Sequence, residues 1–158
     1  MCIRDSAESL GITMLGPNVL GVVNVLDGIP AMALSDPPQR PGRVALISQS
    51  GASCGAMKDF AELAGVELSH VLTVGNEAMV TIAHLVDFLV DDDRVGAIAI
   101  FMEAVKEPEL FAAAARRAAA AGKPIVVLKA GRSELAARAA ASLSLIHISE
   151  PTRRRGIS

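Results

Sequence analysis

The 158-residue sequence contains no tryptophan and no tyrosine, and it has only four phenylalanines and two cysteines. Its hydrophobic fraction is nevertheless 51%, mainly alanine, valine, leucine and isoleucine, against 20% charged residues, which excludes a disordered chain. A chain of this length can bury the core of one domain. No run of about 18 apolar residues occurs, which argues against a membrane-spanning helix. The scarcity of aromatic residues and the net charge of −2 leave neither a stacking platform nor a basic stripe for nucleic acid.

The two ends of the sequence are related at the level of codons. One possible coding of Met1–Ser6, read on the complementary strand, encodes Leu143–Ile148. Two unrelated protein segments have no reason to be reverse complements, whereas one oligonucleotide joined to both ends of a DNA fragment produces this relationship. Both ends resemble the transposon adapter of sequencing libraries. We therefore expect residues 1–6 and 143–158, with their three-arginine cluster, to be adapter-derived, and the fold prediction rests on residues 7–142.

Without these ends, Cys54 is the only cysteine, and His70 and His84 are the only histidines. An intramolecular disulfide is then impossible, which is typical of the reducing cytoplasm, and we expect a cytoplasmic location. Cys54 falls in the first turn of a predicted helix, which can lower a thiol pKa, but with no basic partner evident a packing role is favoured. Packing is also favoured for both histidines. No Cys/His cluster has metal-ligand spacing, so we expect no metal site.

Short apolar runs alternate with helical periodicity along residues 43–142. We predict strands at residues 44–47, 68–74, 95–101 and 125–128, and helices at residues 52–64, 80–90, 107–122 and 134–141. Strands separated by helices of this length indicate βαβ units with right-handed crossovers, and hence an α/β domain with a doubly wound parallel sheet. Residues 7–35 lie outside this rhythm and are interpreted as the tail of a preceding domain. Residues 36–42 (DPPQRPG) form the linker.

In open α/β sheets, ligands bind beyond the carboxyl ends of the strands. The loop SQSGA at residues 48–52 joins the first predicted strand to a helix. Its small residues and the free N–H groups of the helix start make Ser50, Gly51 and Ala52 a candidate phosphate site. A tight turn with a serine cap is the alternative. The loop is neither a P-loop nor a dinucleotide fingerprint, because the required lysine and glycine spacing are absent.

Three further loops follow the other predicted strands. Gly75 and Asn76 tolerate left-handed dihedral angles, so a turn accounts for them as well as a site does. Glu103 ends the third strand, where a carboxylate can hold an imidazole or a substrate, or simply be a solvated loop residue. Lys129 and Gly131 precede the last helix, and with Arg132 they either hold an anion or line a surface turn.

Five segments occur in order along the chain: GPNVLGVVN at 16–24, PGRVALISQSGA at 41–52, VGNEA at 74–78, the strand end at Glu103, and PIVVLKAGRS at 124–133. Together they resemble the NDP-forming acyl-CoA synthetases, which include the ADP-forming acetyl-CoA synthetases and, more distantly, the alpha subunit of succinyl-CoA synthetase. The resemblance covers essentially all of residues 7–142. Val19 departs from the family, which often has cysteine there.

The resemblance implies a flavodoxin-like domain at residues 43–142, preceded at 7–35 by a remnant of a Rossmann-like CoA-binding domain. The family interconverts acyl-CoA, phosphate and a nucleoside diphosphate with a carboxylate, CoA and a nucleoside triphosphate, through an acyl phosphate and a phosphohistidine. Ser50, Gly51 and Ala52 match the helix start that holds the phosphoryl group, and Glu103 matches the acid that orients the histidine. The remaining loop positions are possible active-site loops: Asn18, Gly75, Asn76, Lys129 and Gly131.

The same resemblance implies CoA, phosphate, and ATP or ADP with magnesium as ligands of the parent protein. It also implies a carboxylate or acyl-CoA substrate, an ATP-grasp domain or subunit, and an oligomeric parent. In the family, a Ser-His-Thr-Gly-type stretch carries the histidine, whereas here the sequence runs from Ser142 into the adapter-like segment. We therefore expect this chain to be inactive by itself. The alternatives are a ligand-sensing, ligase-like regulatory module of a protein acetyltransferase, which lacks the histidine, and a flavodoxin-like domain without a site.

Overall fold

The computed structural model of the chain describes residues 3–33 and 36–130. Its elements follow in chain order: α1 (Ile3–Ser9), β1 (Gly21–Asn24), β2 (Ile29–Met32), β3 (Val44–Ser48), α2 (Gly51–Leu63), β4 (Leu68–Thr73), α3 (Ile82–Val90), β5 (Ala97–Met102), α4 (Pro108–Ala120) and β6 (Ile125–Lys129). Every strand and helix predicted between residues 44 and 129 is present, with ends shifted by at most a few residues. The helix predicted at residues 134–141 lies outside the described residues.

The strands form one sheet in the order β2-β1-β4-β3-β5-β6. The four strands β3 to β6 pair in parallel, as predicted for βαβ units. β3 lies between β4 and β5, and its residues Ala45, Leu46 and Ile47 are at most 2% exposed. A short, continuous apolar run of this kind is typical of a strand covered on both faces. The predicted α/β fold class is confirmed.

Residues 21–32 add two antiparallel strands that the sequence analysis did not predict. β1 pairs with β2 and with β4, antiparallel in both cases, so the complete sheet is mixed. Thr73 holds β1 against β4, because its Oγ1 accepts hydrogen bonds from Leu20 N and Gly21 N at 3.0 Å and donates to Gly21 O at 2.9 Å. The strands of this segment therefore belong to the same sheet as the rest. Its assignment to the tail of a preceding domain stays a prediction.

Helices cover both faces of the sheet. On one face, α2 packs its buried Cys54 with Leu46 and Val71. Burial raises the pKa of the Cys54 thiol to about 11, which supports a packing role rather than a reactive one. On the other face, α3 and α4 close a larger cluster with residues of β3 and β5. None of the described helices is long and apolar enough to cross a bilayer.

Large apolar side chains also lie on the surface. Phe60 and Leu63 on α2 are 72% and 88% exposed, and Val126 and Leu128 on β6 are 67% and 57% exposed. Neither pair of side chains packs into the core that the described residues form. α1 contributes no buried residue, and its residues 3–6 belong to the segment interpreted as adapter-derived.

The amino end of the parallel strands is held by one buried ammonium group. Lys123 is 7% exposed, and its Nζ donates to Leu89 O at 3.2 Å, Val90 O at 2.7 Å and Asp92 O at 2.7 Å. These carbonyls belong to the last turn of α3 and the residues after it, where a helix leaves acceptors without intrahelical partners. A positive charge also suits this end of the helix dipole. Lys123 thus ties the loop before β6 to the end of α3.

We expect Lys123→Met to lower the free energy of unfolding by about 1–3 kcal/mol, because it removes three hydrogen bonds from buried carbonyls while keeping most of the apolar stem. Urea titration of wild type and variant measures this loss. Lys106→Met, which removes a more exposed ammonium group at the opposite end of the sheet, is the control. An unchanged urea midpoint for Lys123→Met would contradict the capping role.

His70 lies in β4 and is only 2% exposed. Its Nδ1 is 3.2 Å from Ser69 Oγ, whereas its Nε2 has no hydrogen-bond partner within the described residues. Burial lowers the pKa of His70, and the opposing attraction of the Asp92 carboxylate is the smaller effect. The imidazole is therefore held neutral in the core.

We expect acid to destabilise the protein partly through His70. Because the pKa of His70 is lower in the folded state, the unfolded chain takes up the proton first, and stability falls as the pH drops below about 6.5. Replacing His70 by Gln removes this contribution, so the wild type should lose more stability than the variant between about pH 7.5 and about pH 5. Chemical denaturation across that range measures the difference.

The control is His84→Gln, which changes a half-exposed histidine at a helix start where glutamine is a usual residue. A smaller loss of stability in acid for His70→Gln than for His84→Gln assigns the effect to the buried imidazole. Identical pH profiles for His70→Gln and the wild type would show that His70 contributes no acid sensitivity.

Candidate functional site

The sheet topology brings two loops to one switch point. From β3 the chain passes through α2 to β4, which pairs with one side of β3. From β5, which pairs with the other side of β3, the chain passes through α4 to β6, farther from β3 in the strand order. The direction of the crossovers therefore reverses between β3 and β5, and a ligand site in an open α/β sheet lies at the carboxyl ends of such a pair. Residues 49–51 follow β3 and Glu103 follows β5, so the predicted phosphate loop and the predicted acid share this crevice.

The start of α2 is capped and still has free donors. Ser50 is the N-cap, and its Oγ accepts from Ser53 N at 3.2 Å. The buried Ser48 fixes the turn, since its Oγ donates to Ser50 O at 2.7 Å and accepts from Ser50 N at 3.1 Å. The N–H groups of Gly51 and Ala52 have no acceptor among the described residues, as the first positions of a helix require. The serine cap and the anion-binding geometry therefore coexist at this turn.

Gly51 is also closely packed. A Cβ at this position would lie 2.9 Å from Cγ of Leu20, which precedes β1. The N-terminal hairpin thus covers one side of the α2 start. This contact places the residue before β1 against the predicted phosphate loop.

Gln49 lies at the end of the central strand, and its side chain joins the loops after β3, β4 and β5. Its Oε1 accepts from Glu103 N, in a short hydrogen bond, and from Ala104 N at 2.9 Å. Its Nε2 donates to Ala104 O at 2.7 Å and to Glu77 Oε2 at 3.1 Å. The sequence analysis did not single out Gln49. Its signal was a polar residue directly after the most apolar central strand.

Glu103 is held through its main chain. Gln49 accepts from its N–H, and Lys129 Nζ donates to its carbonyl at 2.6 Å and to Ala130 O at 2.7 Å. Its half-buried carboxylate makes no hydrogen bond within the described part of the chain. The Lys129 ammonium group, predicted either to hold an anion or to line a surface turn, instead binds carbonyls and fixes the end of β5 to the end of β6.

Glu77 is a second residue that the sequence analysis missed. It is 5% exposed, and its Oε1 accepts from Ile82 N, the first N–H of α3, at 2.8 Å. The other carboxylate oxygen accepts from Gln49. Burial raises the pKa of Glu77, and the two hydrogen bonds work in the opposite direction. A carboxylate at a helix start is favoured by the helix dipole, so Glu77 anchors the β4–α3 loop to both α3 and Gln49.

The GPN and GNEA segments pack against each other. Asn76 N donates to Pro17 O at 2.9 Å, and Ala78 N donates to Gly16 O at 2.8 Å. Gly75 has φ of +54°, and a Cβ there would lie 2.3 Å from Asn18 O, so only glycine allows this approach. The side chains of Asn18 and Asn76 are 3.5 Å apart, the limit of a hydrogen bond. The turn interpretation of Gly75 is thus supported, with close backbone contact as the added reason.

His84 has a local role at the start of α3. Its Nδ1 lies 3.2 Å from Thr81 N and 2.8 Å from Thr81 Oγ1, which in turn donates to Glu107 Oε2 at 2.9 Å. This is a helix-start arrangement, in agreement with the structural role favoured from the sequence.

The structure thus places Ser50, Gly51, Ala52, Gly75, Asn76, Glu103 and Lys129 at one edge of the sheet, with Asn18 docked on the loop after β4. Gly131 lies outside the described residues. The described residues include no group of three or more His, Cys, Asp or Glu side chains able to hold a metal ion.

Sequence comparison and structural comparison with known proteins point to the same family. The family described as "Succinyl-CoA ligase like flavodoxin domain" matches residues 41–150, a span that overlaps part of the adapter-like C-terminal segment. The alpha subunit of ADP-forming acetate–CoA ligase I of Pyrococcus furiosus is 42% identical over 138 residues, which cover 87% of this chain and 29% of that subunit. ADP-forming acetate–CoA ligase I of Archaeoglobus fulgidus is 38% identical, over 87% of this chain and 20% of that protein.

Among solved structures, the dinucleotide forming acetyl-coenzyme A synthetase 1 of Ca. Korarchaeum cryptofilum, in complex with phosphate and ADP, superposes with a TM-score of 0.80. It is 35% identical, and the match covers 89% of this chain and 30% of that one. The chain therefore spans less than a third of the length of these relatives. On these matches and on its fold, the chain belongs to the family of succinyl-CoA ligase-like flavodoxin domains, and its relatives are ADP-forming acyl-CoA ligases.

Proposed function

We propose that this chain is the flavodoxin-like part of an ADP-forming acyl-CoA ligase. The complete ligase converts acyl-CoA, phosphate and a nucleoside diphosphate into a carboxylate, CoA and a nucleoside triphosphate. The observation that carries the proposal is the convergence, at one switch point, of two free helix N–H groups with a carboxylate whose main chain is fixed. That pairing suits a phosphoryl group carried by an imidazole.

The start of α2 supplies the phosphoryl-binding groups. The N–H groups of Gly51 and Ala52 point out of the helix start, where the helix dipole adds a partial positive charge. The Ser50 hydroxyl accepts from Ser53 N and retains its own O–H for a phosphoryl oxygen. Fixed donors of this kind stabilise transferring phosphoryl charge without reorganising during the reaction.

Glu103 supplies the orienting group. A carboxylate that accepts a hydrogen bond from one ring N–H of a histidine fixes the tautomer and leaves the other nitrogen free to carry the phosphoryl group. The half-buried Glu103 carboxylate has no competing partner among the described residues, and its backbone is clamped on both sides. We place that histidine after Ser142, where the family carries it. Without it, the 158-residue chain is inactive.

The other ligands of the ligase fall largely outside this chain. The described residues offer donors for a phosphoryl group, but they provide no set of metal ligands, so we assign magnesium no ligand here. We place the nucleotide in an ATP-grasp domain or subunit and CoA mainly in a preceding domain, in a cytoplasmic oligomer. This arrangement fits a chain that covers 29% of the Pyrococcus furiosus subunit.

The test uses the complete ligase containing this segment, incubated with γ-³²P-labelled ATP and rapidly quenched. We expect an acid-labile, base-stable label on histidine. We expect Glu103→Gln to slow its formation by about 100-fold or more, because orientation and charge stabilisation are lost together. Absence of any acid-labile label in the wild type would overturn the proposal and favour the ligand-sensing module of an acetyltransferase.

A second prediction concerns the α2 donors. Ala52→Pro removes one N–H at a position where the first turn of a helix tolerates proline, and we expect phosphohistidine formation to slow by about 10- to 100-fold. Ala52→Gly keeps the N–H and is the matched control, with a rate close to that of the wild type. Equal rates for Ala52→Pro and Ala52→Gly would show that this donor does not bind the phosphoryl group.

A further inference from the structure

The side chain of Gln49 uses its whole hydrogen-bonding capacity. A carboxamide offers two donors and two acceptor positions, and all four are occupied, by Glu103 N, Ala104 N, Ala104 O and Glu77 Oε2. The two backbone N–H groups can only donate, so they fix which end of the carboxamide carries the oxygen. The partners lie 28 to 55 residues away in sequence, and Gln49 therefore joins three loops.

The contacts of Gln49 converge on the residue proposed to orient the histidine. Glu103 N is held by Gln49 and Glu103 O by Lys129, so the peptide groups on both sides of its Cα are fixed. The carboxylate itself has no bond within the described residues. The direction in which it projects is therefore set by its main chain rather than by a side-chain partner.

We infer that Gln49 is a positioning residue, which acts through the main chain of Glu103 to aim its carboxylate at the phosphorylated histidine. This inference rests on the proposed function. A displacement of about 1 Å at a group that orients a reactant can cost about 100-fold in rate. The hydrogen bonds of Gln49 are the contacts that would prevent such a displacement.

Glu77 completes the arrangement. Its buried carboxylate accepts from Gln49 Nε2 and from Ile82 N, so it holds the donor end of the carboxamide and connects it to the start of α3. Desolvation of a carboxylate is costly unless it is hydrogen-bonded, and here both oxygens are. Glu77 therefore supports Gln49 from the side opposite to Glu103.

The test measures phosphohistidine formation in the complete ligase for Gln49→Leu and Gln49→Glu, alone and combined with Glu103→Gln. We expect each single Gln49 variant to slow phosphohistidine formation by about 10- to 100-fold. With Glu103→Gln already present, Gln49→Leu should change the rate by less than about threefold, because residues that act through one another are not additive.

A rescue variant separates geometry from loss of folding. Gln49→Glu brings a second carboxylate against Glu77, whereas Gln49→Glu with Glu77→Gln restores a donor–acceptor pair across that contact. The double variant also keeps Oε1 as the acceptor for Glu103 N and Ala104 N, and of the four contacts it lacks the donor to Ala104 O. We expect phosphohistidine formation in this double variant to be about tenfold faster than in Gln49→Glu alone. Lys123→Met is the stability control: it weakens the opposite end of the sheet and should leave the rate per folded molecule unchanged.

Hydrogen exchange gives a readout that does not depend on activity. In Gln49→Leu, the amides of Glu103 and Ala104 should exchange faster than in the wild type, while amides within β3 keep their protection. Unchanged exchange at these two amides would overturn the inference.

Failure of the inference and failure of the proposed function give different results. An unlabelled wild type removes the proposed function and the inference with it. A labelled wild type in which Gln49→Leu slows the reaction equally with and without Glu103→Gln overturns the inference alone. So does a Gln49→Leu variant that, like Lys123→Met, loses stability but keeps its rate.

Discussion

The pairing of β3 with β4 on one side and β5 on the other is the constraint on which the site depends. Parallel pairing brings the carboxyl ends of these strands together, and the central position of β3 places its last residues between two other loops. The predicted phosphate loop, Glu103 and the buried Glu77 thereby reach one crevice from segments distant in sequence. The apolar run from Val44 to Ile47, which is covered on both faces, makes this pairing stable.

The two ends of the parallel strands are stabilised by different chemistry. At the amino end, the Lys123 ammonium group caps α3, and Arg94 forms ion pairs with Asp27 and Asp92 at 2.8 Å. At the carboxyl end, Lys129 and Glu77 bind main-chain groups and Gln49 rather than side chains of opposite charge, and the N–H groups at the start of α2 have no acceptor among the described residues. The described charges at the amino end are thus paired with one another or with helix carbonyls, whereas at the crevice the helix N–H groups are the donors left for an anionic ligand.

The sequence predicted those parts of the fold that leave a local pattern. Strands β3 to β6 appear as apolar runs and the intervening helices as periodic segments, so their positions follow from residues close in sequence. The hairpin of β1 and β2 was missed because its strands have only four residues each and β2 contains Pro30, so neither strand shows a clear alternation. Residues 7–35 were interpreted as the tail of a preceding domain because they showed no such pattern. The hydrogen bonds of Thr73 that join β1 to β4 connect residues far apart in sequence, so no local pattern could predict them.

The candidate site likewise contains residues that a local sequence pattern indicates and residues that only the structure reveals. The sequence placed Ser50, Gly51 and Glu103 at one end of the sheet because helix starts and strand ends are recognisable positions, and their proposed roles stay predictions. Gln49 and Glu77 were not found, because their importance lies in hydrogen bonds to each other and to main-chain groups far along the chain. The position of Gln49 directly after an apolar central strand marks it only as a polar residue near the strand end, and neither the burial of Glu77 nor the four hydrogen bonds of Gln49 can be read from composition or spacing. Lys129 was found, but its carbonyl partners could only be identified from the pairing of β5 with β6.

The shared carboxamide of Gln49 has a consequence for how such a domain changes during evolution. Surface loops usually accept insertions and deletions independently of one another. Here the loops after β3, β4 and β5 meet on one side chain, so a change of length in any of them displaces groups belonging to the other two. A change of length in one of these three loops is therefore expected to require compensating changes in the other two.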